Sequence, residues 1–279
     1  MSEKSISEST GSAPLRRAAS IVDAVAMFPN GATLTEIAEI VGLPSSTVHR
    51  VSTSLVGIDY LEIDRTRRVY RLGSRVRRLL HFTLDAPTLE AVLTPSLREL
   101  VQDIKEIAFV ARLVGQRIEL VHSVLPEPAD RSLVYPGHEF PLHATATGKA
   151  IFAFQPSEVI QKALQQKAEK YQATTMTRKE DILKALKDVR KRGHAVHDSE
   201  YDADVYAVAC PIEIEGIGVM YSVGIVGLKE RMQREHSLDE VIVRLKETAK
   251  ALSRVLNAHQ KLAARPQKRA GRPTKAAGR

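Results

Sequence analysis

The sequence holds one cysteine, Cys210, and nine histidines, the raw material for a Cys–His nucleophile pair. Cys210 sits inside the apolar run VYAVACPI, where a small buried side chain is expected rather than a reactive thiolate. His194, His197 and Asp198 crowd into HAVHD, but they lack helical ligand spacing and a cysteine partner, so no metal is expected. The segment HATATGKAIFA, residues 143–153, presents a Gly-Lys pair like that of a phosphate loop. That motif needs a glycine where His143 stands and a Ser or Thr where Ala150 stands. What remains is a loop entering a helix whose open amides can face a cavity and draw an anion. Thr145, Thr147 and Gly148 would supply donors there without crowding a ligand. No catalytic set and no cofactor emerge.

A different chemistry is offered by PSSTVHRVSTSL, residues 44–55. Read as a helix, it turns Val48, Val51 and Leu55 inward and presents Ser46, Thr47, His49, Arg50 and Thr53 on the other face. That face is short of long apolar groups and rich in hydrogen-bonding ones, as a surface meant for base edges and phosphates should be. Thr35, Ser45 and the basic run Arg65, Arg67 and Arg68 complete the candidate DNA-contacting set.

Such a face needs elements to hold it. Leu34, Ile37, Ala38 and Val41 recur at helical spacing, with Thr33 or Thr35 as a cap and Gly42 as a left-handed stop. Pro44 prevents simple continuation, and Ser45 or Ser46 can cap the next helix. An upstream helix over 15–28 supplies Ile21, Val22, Val25 and Met27 or Phe28 as a third wall. YLEIDRTRRVYRLG, residues 60–73, alternates apolar and polar positions around a basic turn and predicts a β-hairpin wing. Together these predict a winged helix-turn-helix.

The net charge of +8 is unevenly placed. Residues 261–279 hold seven basic residues and no acid, and residues 15–80 hold ten basic and six acidic. The stretch 81–260 is close to neutral, which suits a nucleic-acid-binding end joined to a body with another task. The 43% hydrophobic and 27% charged fractions are those of a globular protein. The polar first residues and the lack of a long apolar run predict a cytoplasmic chain with no membrane partner.

At this point the sequence resembles the IclR family of bacterial transcriptional regulators, over residues 15–256. The resemblance is carried by LRRAASIVDAVAMF, TLTEIAEIVGLPSSTVHRVSTSL, YLEIDRTRRVYRLG, PLHATATGKAIFA and RGHAVHDSEYDADVYAVACPI in that order. It implies an α+β chain: an N-terminal winged helix-turn-helix (15–76), a linker helix (77–93) and a GAF-like effector-binding domain with an antiparallel sheet (94–260). A leader (1–14) and a basic tail (261–279) flank these, both expected to be disordered. It also implies a homodimer or homotetramer on operator DNA.

The resemblance places the effector site at Thr145, Thr147, Gly148, Lys149 and Ala150, facing His197, Asp198, Ala207, Gly224 and Val226. Many members have an acid where His197 stands and serines where Gly224 and Val226 stand. Losing two hydroxyls should make the pocket roomier near Gly224 and more apolar near Val226. That points to a small organic acid, aromatic or hydrophobic, rather than a sugar. The expected function is a ligand-responsive regulator of transcription. The alternative is a small-molecule-processing enzyme with a DNA-binding appendage.

In the body, TPSLRELVQDI is expected to start a helix at Thr94–Pro95, with Leu97, Leu100, Val101 and Ile104 buried. IAFVARLVG, QRIELVHSV, VYAVACPIEIE and GVMYSVGIVG read as strands, and a last helix follows Ser237. The tail carries RAGRP, which resembles the Arg-Gly-Arg-Pro core of an AT-hook with Ala270 intruding.

Overall fold

A computed structural model describes residues 13–82, 86–115, 117–127 and 139–263. The chain divides into two compact units, with boundaries at His81/Phe82 and Ala258/His259. Residues 1–12 of the leader and 264–279 of the basic tail, including its hook-like segment, lie outside the described residues, while 13–14 and 261–263 are helical.

The first unit builds α1 (Ala13–Ala26), α2 (Leu34–Val41) and α3 (Ser45–Gly57) around Ile21, Ala24, Val25, Ile37, Val48 and Leu55. Phe28 packs against this core, while Met27 stays exposed. Thr33, not Thr35, caps α2: its hydroxyl accepts from the Glu36 amide, and Glu36 closes the box on the Thr33 amide at 2.7 Å. Gly42, at φ 65°, stops the helix by donating to the Ala38 carbonyl. At the next helix the expected serine cap is absent. Pro44 occupies the cap position and offers only its carbonyl, which accepts from Thr47 at 2.9 Å and Val48 at 3.1 Å. Ser45 and Ser46 are thereby left at the exposed surface.

The wing is β2 (Leu61–Asp64) paired antiparallel with β3 (Val69–Leu72), and β1 (Ala32–Thr33) joins the far side of β3. Arg77, on α4 (Ser74–Phe82), grips Glu62 through both terminal nitrogens and so fastens the wing to the helix that follows it.

The second unit is a six-stranded antiparallel sheet covered on both faces. Its strands are β4 (Ile107–Val114), β5 (Arg117–Val124), β6 (Glu139–Phe140), β7 (Ala195–Asp198), β8 (Val205–Ile214) and β9 (Gly218–Leu228). Their order is β6-β5-β4-β9-β8-β7. On one face α5 (Ala86–Ile104) and α10 (Leu238–Ala263) lay Leu93, Leu97, Leu100, Leu245 and Leu252 over Ala108, Val110 and Val208. On the other, α6 (Ala146–Phe152) and α8 (Lys179–Arg192) bring Ile151, Phe152, Ile182 and Leu186 against Phe109, Ala111 and Ala209. Two covers explain why β4, β8 and β9 read as nearly unbroken apolar runs.

α5 does not begin at Thr94–Pro95. It runs through Pro95, so the boundary expected at residue 94 falls inside it. Leu89 and Leu93 before the proline bury in the same core as Leu97 and Leu100 after it, and that packing outweighs the lost helical hydrogen bond. The Thr94 hydroxyl donates to the Glu90 carbonyl at 2.6 Å and meets His122 Nε2 at 3.0 Å.

Candidate functional site

The outward face of α3 is formed by what its inward face buries. Val48, Ser52 and Leu55 pack inside, with Val51 half-buried, so Ser46, His49, Arg50 and Thr53 are exposed and Thr47 is partly so. Ser52, missed by a reading that looked for aliphatic groups, is fully buried on the inward face of α3. The Thr53 hydroxyl turns back to donate to the His49 carbonyl at 2.8 Å, so toward DNA it can only accept. Ser54, not foreseen, is also exposed and donates to the Arg50 carbonyl. At the wing tip Asp64 accepts from the amides of Thr66 and Arg67, folding a tight turn that leaves Arg65, Arg67 and Arg68 exposed. Thr35 is exposed at the start of α2.

In the second unit a cavity of about 40 Å³ lies beneath the start of α6. Thr145, Thr147, His197, Ala207 and Val226 line it, together with Phe109, Phe140, Ala146, Tyr201, Asp202 and Val205. Its two threonine hydroxyls are already engaged. Thr145 caps α6, accepting from the Gly148 amide at 3.1 Å and donating to the Pro141 carbonyl at 2.8 Å. The Thr147 and Ser222 hydroxyls bond to each other.

Five expected effector residues face elsewhere. Gly148 is where α6 touches the preceding loop: a Cβ there would stand 2.6 Å from Leu142 Cα and 2.7 Å from the Leu142 and Pro141 oxygens. Ala150 is core. Asp198 pairs with Lys229 at 2.7 Å. Lys149 is 4% exposed and clasps both Glu200 oxygens at 2.6 Å. Burial pulls the Lys149 pKa down and pushes that of Glu200 up, as befits an ion pair whose attraction only partly offsets lost hydration.

Gly224 does not leave room. Its cross-strand neighbour is Phe109, and a Cβ at Gly224 would stand 2.7 Å from the Phe109 Cζ and 3.0 Å from the Val208 carbonyl. The aromatic ring fills the space that the glycine opens, and Phe109 becomes a wall of the cavity. A glycine inside an otherwise apolar strand was the signal available in the sequence. Gly224→Ala should therefore push the ring and destabilise the unit by about 1–3 kcal/mol, as overpacking does. An unchanged urea midpoint would show that the ring yields freely.

His197 is 3% exposed, and its Nε2 accepts from the Tyr201 amide at 2.9 Å. Burial, with Lys149 adding to it, lowers its pKa to about 4. The turn carrying Glu200 and Tyr201 is held from outside. Thr175 donates to the Glu200 carbonyl at 2.5 Å, and Tyr171 meets Tyr201 edge-on at 4.7 Å.

Cys210 is 1% exposed and burial pushes its thiol up to about 12, so it is no nucleophile. Among the described residues no three His, Cys, Asp or Glu are placed to hold a metal, and no helix is long and apolar enough to cross a membrane.

Comparison with known proteins matches both units. The model of the IclR helix-turn-helix domain matches residues 14–65, and that of the bacterial transcriptional regulator IclR C-terminal matches residues 81–254. The chain is 31% identical over 238 residues to the HTH-type transcriptional regulator TtgV of Pseudomonas putida, covering 85% of this chain and 90% of that protein. It is 29% identical over 245 residues to the glycerol operon regulatory protein of Streptomyces coelicolor, covering 88% and 96%. Among solved structures, an IclR homologue from Microbacterium hydrocarbonoxydans complexed with 4-hydroxybenzoate shares the fold. Its TM-score is 0.57 at 23% identity, covering 88% of this chain and 99% of that one. These relatives are regulators, not enzymes, and with an IclR head and an IclR effector unit in one chain, the protein belongs to the IclR family of bacterial transcriptional regulators.

Proposed function

We propose that the protein binds a specific operator through α3 and the wing, and that a small organic ligand in the cavity beneath α6 controls that binding. The observation that carries the reading is α3 itself. It is buried on Val48, Ser52 and Leu55 and open to solvent on Ser46, His49, Arg50 and Thr53. Two such heads from a dimer or tetramer would read two half-sites, and the ligand would favour one spacing of them. An organic acid is the effector class expected from the sequence, and the Microbacterium relative carries an aromatic one. The work would be done in the cytoplasm, where operator DNA lies. As domains we assign 15–76 to DNA, 77–93 to linkage and 94–260 to the effector, with Leu89 and Leu93 of the linking segment packed into the effector core.

The test starts from an operator selected out of random duplexes by the full-length protein. Arg50→Ala should weaken it about 5- to 100-fold, the worth of one bidentate base contact, and leave the melting temperature unchanged because Arg50 is exposed. Affinity within twofold of wild type would remove Arg50 from the reading set.

Residues 261–279 bring seven cations near DNA when the head docks. Each phosphate they neutralise adds about 0.9 to the log–log salt slope. Deleting them should flatten the slope by about two units or more on operator and random DNA alike, with sequence preference intact. Identical slopes would show that the tail stays off the DNA.

A further inference from the structure

We infer that a groove between α8 and α7 (Ser157–Ala163), which shares no residue with the cavity, is a docking site for an acidic amphipathic helix of a partner protein. α8 has two faces at helical spacing. Ile182, Leu186 and Val189 bury in the core, while Glu180, Leu183, Lys184, Lys187 and Arg190 line the groove. Leu183 is left 37% open to solvent on this otherwise charged face. Ile160 of α7, Ala153 at the end of α6 and Leu186 add to it, so the groove has an apolar floor. It holds about 550 Å³ and lies open to solvent. Arg190 is spent as a brace: its Nε donates to the Ala153 carbonyl at 2.6 Å and its Nη2 to the Gln155 carbonyl at 3.3 Å. These bonds tie α8 to the end of α6 and hold the floor together.

Charge decides the occupant. Lys184 and Lys187 stand one turn apart, are exposed and make no ion pair or hydrogen bond among the described residues. Glu180 is the one acid in the lining, and it sits in the first turn of α8, where the helix dipole favours it. Three cations against one acid leave the groove positive. A helix laid along it, with leucine-type side chains on Leu183 and Ile160 and carboxylates facing the two lysines, would satisfy both floor and rim. From Glu180 to Arg190 α8 rises about 15 Å, so about three turns of a partner match it. Other occupants fit less well. DNA phosphates gain nothing from an apolar floor and would meet Glu180. The chain's own basic tail has the same sign as the lysines. A small carboxylate would leave most of its hydrocarbon in water in so open a groove.

The test is a selection from displayed 14-residue peptides. Leucine is fixed at i, i+3, i+4 and i+7, and the other positions are free to be Glu, Lys, Gln or Ala. The bait is the full-length protein with random duplex DNA in excess, which occupies the basic head. Enriched peptides should be net acidic. The leading one should bind the wild type tenfold or more tighter than it binds Leu183→Glu or the double variant Lys184→Glu with Lys187→Glu. Lys184→Gln with Lys187→Gln, which adds no repulsion, should fall between. All three side chains are exposed, so the variants should keep the wild-type melting temperature and operator affinity. The inference is overturned if no peptide is enriched, if the enriched peptides are neutral or basic, or if the leading peptide binds every variant alike and so sits elsewhere. A smaller assembly for Leu183→Glu than for the wild type, seen by sedimentation, would give the groove to a second copy of the chain and overturn it as well.

Discussion

Replacing Lys149 by Met should cost the effector unit about 3–5 kcal/mol, because it strands the Glu200 carboxylate without its partner in a buried place. The two side chains are 5% and 13% exposed, too little for water to replace the lost ammonium. Hydrogen exchange of the β8 and β9 amides reads this unit apart from the DNA-binding head. The double variant Lys149→Met with Glu200→Leu should recover most of the loss, since removing both charges also removes both desolvation costs. A single variant within about 1 kcal/mol of wild type would show that Glu200 finds another partner or reaches solvent. The pair also fixes the turn that carries Tyr201, so its loss should loosen the amide that orients His197.

The second large effect is on acid stability. His197 takes up a proton near pH 6.5 when unfolded but only near pH 4 when folded, because burial and then Lys149 oppose the charge. In that window the unfolded chain binds the extra proton, so stability is complete above about pH 7 and falls as the pH drops toward 4. Fully expressed, the gap is worth about 3 kcal/mol, and roughly 2 kcal/mol of it is lost by pH 5. Glu200 and Asp198 also face this region, so the measurement is a comparison with His197→Gln, which can still accept from the Tyr201 amide. The wild type should lose roughly 2 kcal/mol more than the variant between pH 7.5 and pH 5. Parallel stability curves would mean that His197 charges freely in the folded protein.

The DNA-binding head was largely legible in the sequence because its signals are local. A capping box closes over four residues, a left-handed glycine ends its own helix, and an inward apolar face appears within two turns. Even there the cap of α3 was misassigned: a serine is the commoner solution, and only the chain's path shows Pro44 in the cap position with its carbonyl turned to the helix. The strands of the effector unit were legible as apolar runs.

The cavity was another matter. Its walls come from β4, β6, β7, β8, β9, the start of α6 and the turn after β7, more than 100 residues apart along the chain. Strand pairing put Phe109 opposite Gly224 and so closed the space that a reading of Gly224 alone had opened. The resemblance placed Lys149 in the effector site, while folding gave it to Glu200, 51 positions away. The sequence by itself determined most of the elements, the exposed polar face of α3 and the family, because those depend on short-range periodicity and capping. Only the tertiary structure decided which polar groups are spent on one another, because burial and hydrogen-bond satisfaction are settled between distant segments.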